Sequence, residues 1–349
     1  MKKIILLIIS LTLLFTAACS PKQEIAEDKP AEPVTQVPDE TPDPDNKAQG
    51  PVYRSIFNGK EISQDQKTYQ AFGIIIENTS AARPQSALGL ADIVYEIAVE
   101  TYAYTRFLAV FASEHPTKVG PVRSSRIPFV RIAQEWNLPY AHYGSAKTGR
   151  GDALSLVESL NLPIRFDGHR GINDEFYSRD KSRKAPHNAY FNAEAALVKI
   201  PEQEYEKHFD FDESINIDEQ DAVEISLRYS RINQVKYVYD EENRSYLRFI
   251  NDEPMMDAYM NDQIRVTNII LLHAPHETAE RAQYVLVDLI GEGKAEYFVN
   301  GKYEEGTWKK SSYDDKTEFY DGNGNPIVLL PGNTWIQVVH DKVGIDKAN

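Results

Sequence analysis

The 349-residue sequence predicts an α/β N-terminal domain (51–210) followed by a mainly β C-terminal domain (211–349). Three observations carry this expectation. Short apolar, β-branched runs alternate with helical spacing up to about residue 200. An acid-rich stretch, 201–222, then interrupts the pattern. Beyond it, aromatic and β-branched runs alternate with turn-forming pieces, the mark of consecutive strands. Length agrees, since roughly 100–200 residues per domain favours two domains.

In chain order, residues 72–77, 93–97, 107–111 and 119–122 read as strands because each is a short run suited to a buried sheet. Residues 127–134, 152–159 and 192–199 have helical spacing, the last with Asn192 as N-cap and Glu194 in the first turn. After the boundary, strands are expected at 235–239, 245–250, 268–272, 284–287 and 335–339, with Trp308 and Trp335 in the core they form. Interleaved short elements favour a layered arrangement.

Composition bounds the function classes. Hydrophobic residues are 42% and charged residues 26%, which excludes collagen-like, wholly disordered and polytopic membrane chains. A net charge of -15 argues against an indiscriminate nucleic-acid binder, whose affinity comes from neutralising phosphates. One cysteine permits neither an internal disulfide nor a zinc site of several thiolates.

Residues 1–18 read as a signal peptide: Lys2 and Lys3 precede an apolar run shorter than the roughly 20 residues of a spanning helix. Thr16-Ala17-Ala18-Cys19 resembles a bacterial lipobox, with Thr16 where leucine is usual. That resemblance implies acylation of the Cys19 thiol, cleavage before it, and an extracytoplasmic protein anchored to the bacterial cell membrane. Several acyl chains hold lastingly, at about 0.8 kcal/mol per buried CH₂. Residues 19–50 form the expected tether. Between 20 and 50 lie six prolines, eight acids and three lysines, too few apolar groups to order the chain.

Charge is unevenly distributed. Residues 101–199 carry 14 basic and 9 acidic side chains (+5), whereas 200–349 carry 15 and 30 (-15). A basic island in an acidic protein can attract anions locally. Within it, Arg106, Arg123, Arg126 and Arg131 cluster at strand ends, and Arg123-Ser124-Ser125-Arg126 is expected at a strand-to-helix junction. Such a junction offers backbone N–H groups, and guanidinium forks match phosphate or carboxylate. Arg106, Arg123, Ser124, Ser125 and Arg126 are therefore the expected anion-binding residues, with Asp92, Glu96, Arg131, His142, Arg179 and Lys184 as neighbours. The alternative is that the arginines pair with Asp92, Glu96 and Glu100 and stiffen the fold.

The segments Ala82-Arg83-Pro84-Gln85-Ser86-Ala87-Leu88, Ala91-Asp92-Ile93-Val94-Tyr95-Glu96, Thr105-Arg106-Phe107-Leu108 and Val119-Gly120-Pro121-Val122-Arg123-Ser124-Ser125-Arg126, with Gly306-Thr307-Trp308-Lys309 and Leu330-Pro331-Gly332-Asn333-Thr334-Trp335, resemble the YerB-like family of bacterial lipoproteins. The resemblance implies a secreted, membrane-tethered protein of two domains in this order, with no assigned biochemistry. The order of Asp92, Val122-Arg123 and the later Tyr140-Ala141-His142 segment is similar to the LytR-CpsA-Psr phosphotransferases. That similarity would make Asp92 a ligand of Mg²⁺ and Arg106, Arg123 and Arg126 holders of a pyrophosphate. Against that pattern, Ala91-Asp92-Ile93 stands where the phosphotransferases have Arg-x-Asp-Thr, and no Arg-Asp pair follows the second strand.

The favoured function is binding of an anionic cell-wall ligand or envelope protein, with no cofactor. A phosphotransferase or hydrolase acting on lipid-linked pyrophosphate and a non-catalytic scaffold are the alternatives, so catalysis stays open. His142 is a candidate acid or base by its ordinary pKa of about 6.5. Residues 178–184 are a basic loop able to close over an anion. Three motifs are set aside. His273-Ala274-Pro275-His276 is broken by proline, Asp321-Gly322-Asn323-Gly324-Asn325 lacks the later residues of a calcium loop, and no nucleophile elbow, Walker loop or dinucleotide fingerprint occurs.

Overall fold

Continuous apolar strand runs demand burial on both faces, and the central strands are buried in that way. The computed structural model describes residues 52–348 apart from 216, 218, 219 and 280–283. The signal peptide, Cys19 and the tether expected over 19–50 lie outside the described residues.

The elements that position the sites are β1 (Phe72–Glu77), β2 (Ile93–Glu100), β3 (Tyr104–Phe111), α1 (Ile127–Glu135), β4 (Tyr140–His142), α2 (Ala153–Ser159), β5 (Arg165–Asp167), α3 (Ala193–Ala196), β6 (Glu224–Ser230), β7 (Asn233–Asp240), β8 (Ser245–Ile250), β9 (Asn268–His273), β10 (Gly291–Val299), β11 (Lys302–Lys310), β12 (Thr334–Val339) and β13 (Gly344–Ala348). An eleven-stranded mixed sheet runs β11-β10-β9-β12-β2-β3-β1-β4-β5, with Gln220–Asp221 and Glu318–Tyr320 beside β11. Strand β12 lies between β9 and β2 and is parallel to both, in register Thr334↔Ile93 through Val338↔Ile97. The sheet is thus continuous across the sequence boundary near residue 210.

Alternation sorts the side chains to two faces. Ile93, Tyr95, Ile270, Leu272, Ile336 and Val338 face one core, which α1 and α2 cover with Phe129, Val130, Ala153 and Val157. Val94, Phe107, Ile269, Leu271 and Trp335 face the other. There a second, antiparallel sheet, β8-β7-β6-β13, packs Ile225, Leu227, Val235, Tyr237 and Tyr246 against them. Trp308 and Trp335 are both buried, as expected.

The N-terminal part is mainly β, which corrects the α/β expectation. Its helices are short, at 9, 7 and 4 residues. The reason is connectivity: β2 returns as β3 through a tight turn at Thr101 and Tyr102, both at positive φ, and not through a helical crossover. The expected strand 119–122 forms isolated bridges, Val119↔Phe191, Ser86↔Gly120 and Ile76↔Val122; Pro121 has no N–H to continue a ladder. Asn192 does cap α3, accepting from Ala195 N at 3.0 Å. The helix stops at Ala196, five residues before Pro201, which disfavours helical backbone at the residue before it.

Candidate functional site

The basic island brings Arg106, Arg123 and Arg126 together, and it brings acids with them. Arg106, on β3, donates to Ser124 O at 2.7 Å and to Glu100 Oε1 at 3.2 Å. Arg126, the residue that opens α1, donates to Ser125 O at 2.8 Å and to the same Glu100 Oε1, and stacks on Tyr284 at 4.6 Å. Arg123 Nε lies 3.2 Å from Glu77 Oε2, which also meets His187 Nδ1 at 2.7 Å. The slot expected between the guanidinium groups therefore already holds Glu100, with Glu77 behind it.

Electrostatics follow from that packing. Burial, and then the neighbouring Arg126, lower the Arg106 pKa to about 9. Burial pushes Glu100 upward, but Arg106 and Arg126 outweigh it and hold its carboxyl below the ordinary range. Three guanidinium groups share two carboxylates, so positive charge is left over. It is most accessible at Arg123, whose side chain is 24% exposed and whose Nε, though 3.2 Å from Glu77 Oε2, makes no hydrogen bond among the described residues. Ser124 and Ser125 serve the protein: Ser124 Oγ donates to Tyr143 O at 3.0 Å, and Ser125 Oγ lies 2.5 Å from Tyr140 Oη.

The remaining acids are engaged elsewhere. Asp92 accepts from Asn58 Nδ2 at 2.5 Å and from the backbone of Ala112 and Ser113 at 2.7 and 2.9 Å. Asp92 thus serves the fold as an acceptor for three donors. Among the described residues no three His, Cys, Asp or Glu side chains gather as a metal site. Glu96 is fully buried and accepts from Arg248 Nη2 at 2.6 Å, from Thr105 Oγ1 at 2.6 Å and from Asn78 Nδ2 at 3.1 Å. Arg248 also bonds Tyr237 Oη and lies over Trp335. That pair joins the central sheet to the second one.

A cleft that sequence reasoning did not anticipate opens beside Asp92. It has a volume of about 490 Å³ and draws its walls from both halves of the sequence, including Asn58, Ser113, Leu90, Ser245, Met260 and Asn333. No composition signal marks it, because its amides, hydroxyls, aliphatic groups and charges of both signs lie far apart in the chain.

With this geometry in place, comparison with known proteins is informative. Residues 57–206 match the family model described as "Protein of unknown function (DUF3048) N-terminal domain", and residues 225–336 match its C-terminal domain. The chain belongs to this two-domain, YerB-like family. It is 29% identical over 314 residues to the Bacillus subtilis (strain 168) protein named "Putative lipoprotein YerB", covering 88% of this chain and 90% of that one. The crystal structure of YerB from Bacillus subtilis is similar at a TM-score of 0.72 and 27% identity, covering 84% of this chain and 99% of that one.

The other expected site residues of this family member are dispersed. Arg131, on α1, donates to Gln134 Oε1 at 2.8 Å and stacks on Tyr313 at 3.9 Å, so it does not join the cluster. His142 is fully buried; its Nδ1 lies 2.8 Å from Gly144 O and so carries the proton. Burial lowers its pKa against the pull of Asp167. Arg179 donates to Asn188 Oδ1 at 2.6 Å and stacks on Tyr143, whose N–H donates to Arg123 O. Lys184 is exposed and its carbonyl accepts from His187 N–H. Of the motifs set aside, His273 pairs with Glu296 and His276 donates to Ala274 O, while Asp321 accepts from the backbone of Asn323 and Asn325 in a tight turn.

Proposed function

We propose that the protein is a lipoprotein, held on the outer face of the bacterial membrane through acylated Cys19, whose basic face binds a phosphate- or carboxylate-bearing envelope ligand without turning it over. One observation carries the ligand class: three guanidinium groups share two carboxylates, and Arg123 among them keeps 24% of its side chain exposed. His187 shares the Glu77 carboxylate with Arg123. Anchoring is supported by the chain's single cysteine at the lipobox and by likeness to a protein named as a lipoprotein. Among the described residues no helix is long and apolar enough to cross a membrane. The phosphotransferase reading lacks support at its metal, because the Asp92 oxygens already serve Asn58 and two backbone N–H groups.

Thermal unfolding of the full chain in detergent, titrated with inorganic pyrophosphate, tests this reading. Saturable stabilisation that weakens about three- to tenfold in Arg123→Ala is expected, as for one charge-assisted hydrogen bond or less, with no phosphate released. A flat titration of the wild type rejects the anion site. Recovery of Cys19→Ser in the soluble fraction is expected of the anchor, and its retention on membranes rejects lipid attachment there.

A further inference from the structure

The cleft beside Asp92 is built differently from the basic face. We propose that it is a separate binding site and that it takes a neutral, hydroxyl-rich ligand, a saccharide. The inference is independent of the arginine reading and rests on three features. The first is an orphan: Ser245 lines the cleft, is 5% exposed, and its Oγ has no hydrogen-bond partner among the described residues. A buried hydroxyl without a partner costs stability unless something completes it.

The second feature is the balance of the walls. Ser113 Oγ accepts from Asn58 Nδ2 at 2.9 Å, which leaves its own hydrogen to donate outward. Asn243 donates to Asp240 Oδ2 at 2.8 Å, which leaves its carbonyl to accept. Charge at the rim is mixed. Arg265 is tied to Asp240 at 2.5 Å and Asp92 to three donors, and Lys60, Glu61 and Glu114 line the same cleft. With Lys60 and Arg265 against Glu61, Asp92 and Glu114, the lining has a slight acidic excess, which does not favour an anion. Interspersed donors and acceptors suit hydroxyls, each of which both gives and takes a hydrogen bond.

The third feature is an apolar wall. Leu90 and Met260 face the same space, and Met260 is 39% exposed. A pyranose has a C–H face that such a wall can cover while its hydroxyls reach the polar side. At about 490 Å³ the cleft falls in the range of small-molecule sites, roughly 300–1,000 Å³. Because Ser113 and Asn58 come from the first half of the chain and Ser245 and Asn243 from the second, a bound sugar would brace one half against the other.

The test is a titration of the full-length, detergent-solubilised protein with a panel of neutral mono- and disaccharides, including maltose and N,N′-diacetylchitobiose, read by ligand-observed NMR and by thermal unfolding. Saturable binding of at least one sugar is expected. It should weaken about three- to tenfold in Ser245→Ala and in Ser113→Ala, as for loss of one neutral hydrogen bond, and be unchanged in Arg123→Ala. Ser113→Ala changes an exposed hydroxyl, so it reports even if Ser245→Ala disturbs folding. Absence of saturable binding by the wild type overturns the proposal, as does binding that neither serine variant weakens. Pyrophosphate in parallel separates this site from the arginine face, since the two readings fail on different ligands and different variants.

Discussion

The arginine cluster and the cleft lie at opposite ends of one strand. Asp92 precedes β2 and Glu100 closes it, some eight residues or about 26 Å apart at ~3.3 Å per residue. At the Glu100 end the groups are ionic, and two of three guanidinium groups converge on one carboxylate. At the Asp92 end the walls are mostly neutral and a buried hydroxyl has no partner among the described residues. The difference is one of cost. A buried charge left alone is far more expensive than a buried hydroxyl left alone, so folding closes charge clusters internally before it closes neutral ones. The part of this chain that announces itself in sequence is the part where the protein's own acids take up most of the charge, leaving an excess only toward Arg123.

The largest effect expected from breaking that pattern is at the middle of β2. Glu96→Gln leaves Arg248 charged, fully buried and without its carboxylate. Removing one member of such a pair costs about 3–5 kcal/mol, which denaturant unfolding should show as a large drop in midpoint. A loss under about 1 kcal/mol would mean that Tyr237 and the surrounding rings hold Arg248 without Glu96.

Glu100→Gln should cost less, about 1–3 kcal/mol, because the Glu100 side chain is 27% exposed and its pairs are partly screened. It also sharpens the comparison, since it vacates the slot between Arg106 and Arg126. Pyrophosphate should then stabilise the variant more than the wild type. The pH dependence has a definite sign. The folded Glu100 carboxyl is held below its ordinary value of 4.5, so its contribution is complete above about that pH and is lost as pH falls through the depressed value. The wild type should therefore lose stability on acidification more steeply than Glu100→Gln; parallel acid limbs would show that Glu100 contributes nothing through its charge.

How much of this was legible in the sequence varies by feature. Strands at 72–77, 245–250 and 335–339 were readable within a residue or so, because their apolar runs are long and bounded by turn residues. The convergence of Arg106, Arg123 and Arg126 was readable from their placement at strand ends. Their partners were legible only in part. Asp92, Glu96 and Glu100 are spaced by four, which on a regular strand puts them on one face. The register of β2 against β3 shifts between Ala98 and Glu100. Such an irregularity re-aims a side chain, and Glu100 meets Arg106 and the start of α1 on the helix side while Glu96 meets Arg248 on the other. Glu77 pairs with Arg123 through Ile76↔Val122, a bridge between segments 46 residues apart that no local pattern encodes. The cleft was invisible for the same reason: parallel pairing of β12 with β2 assembles it from the two ends of the fold.

The smallest effect separates a satisfied hydroxyl from an orphaned one. Ser125 and Ser245 are both buried serines, but Ser125 Oγ has Tyr140 Oη at 2.5 Å and Ser245 Oγ has no partner among the described residues. Ser125→Ala should lose about 1 kcal/mol, the net worth of one hydrogen bond, and more if it strands the Tyr140 hydroxyl. Ser245→Ala should change stability by no more than about 1 kcal/mol and in the stabilising direction, because it removes a buried polar atom that gains nothing in the unliganded fold. Chemical denaturation of the two variants without added sugar makes the comparison directly. If Ser245→Ala is instead as destabilising as Ser125→Ala, its hydroxyl already has a partner in the free protein, and the cleft has no unmet hydrogen bond to offer a ligand.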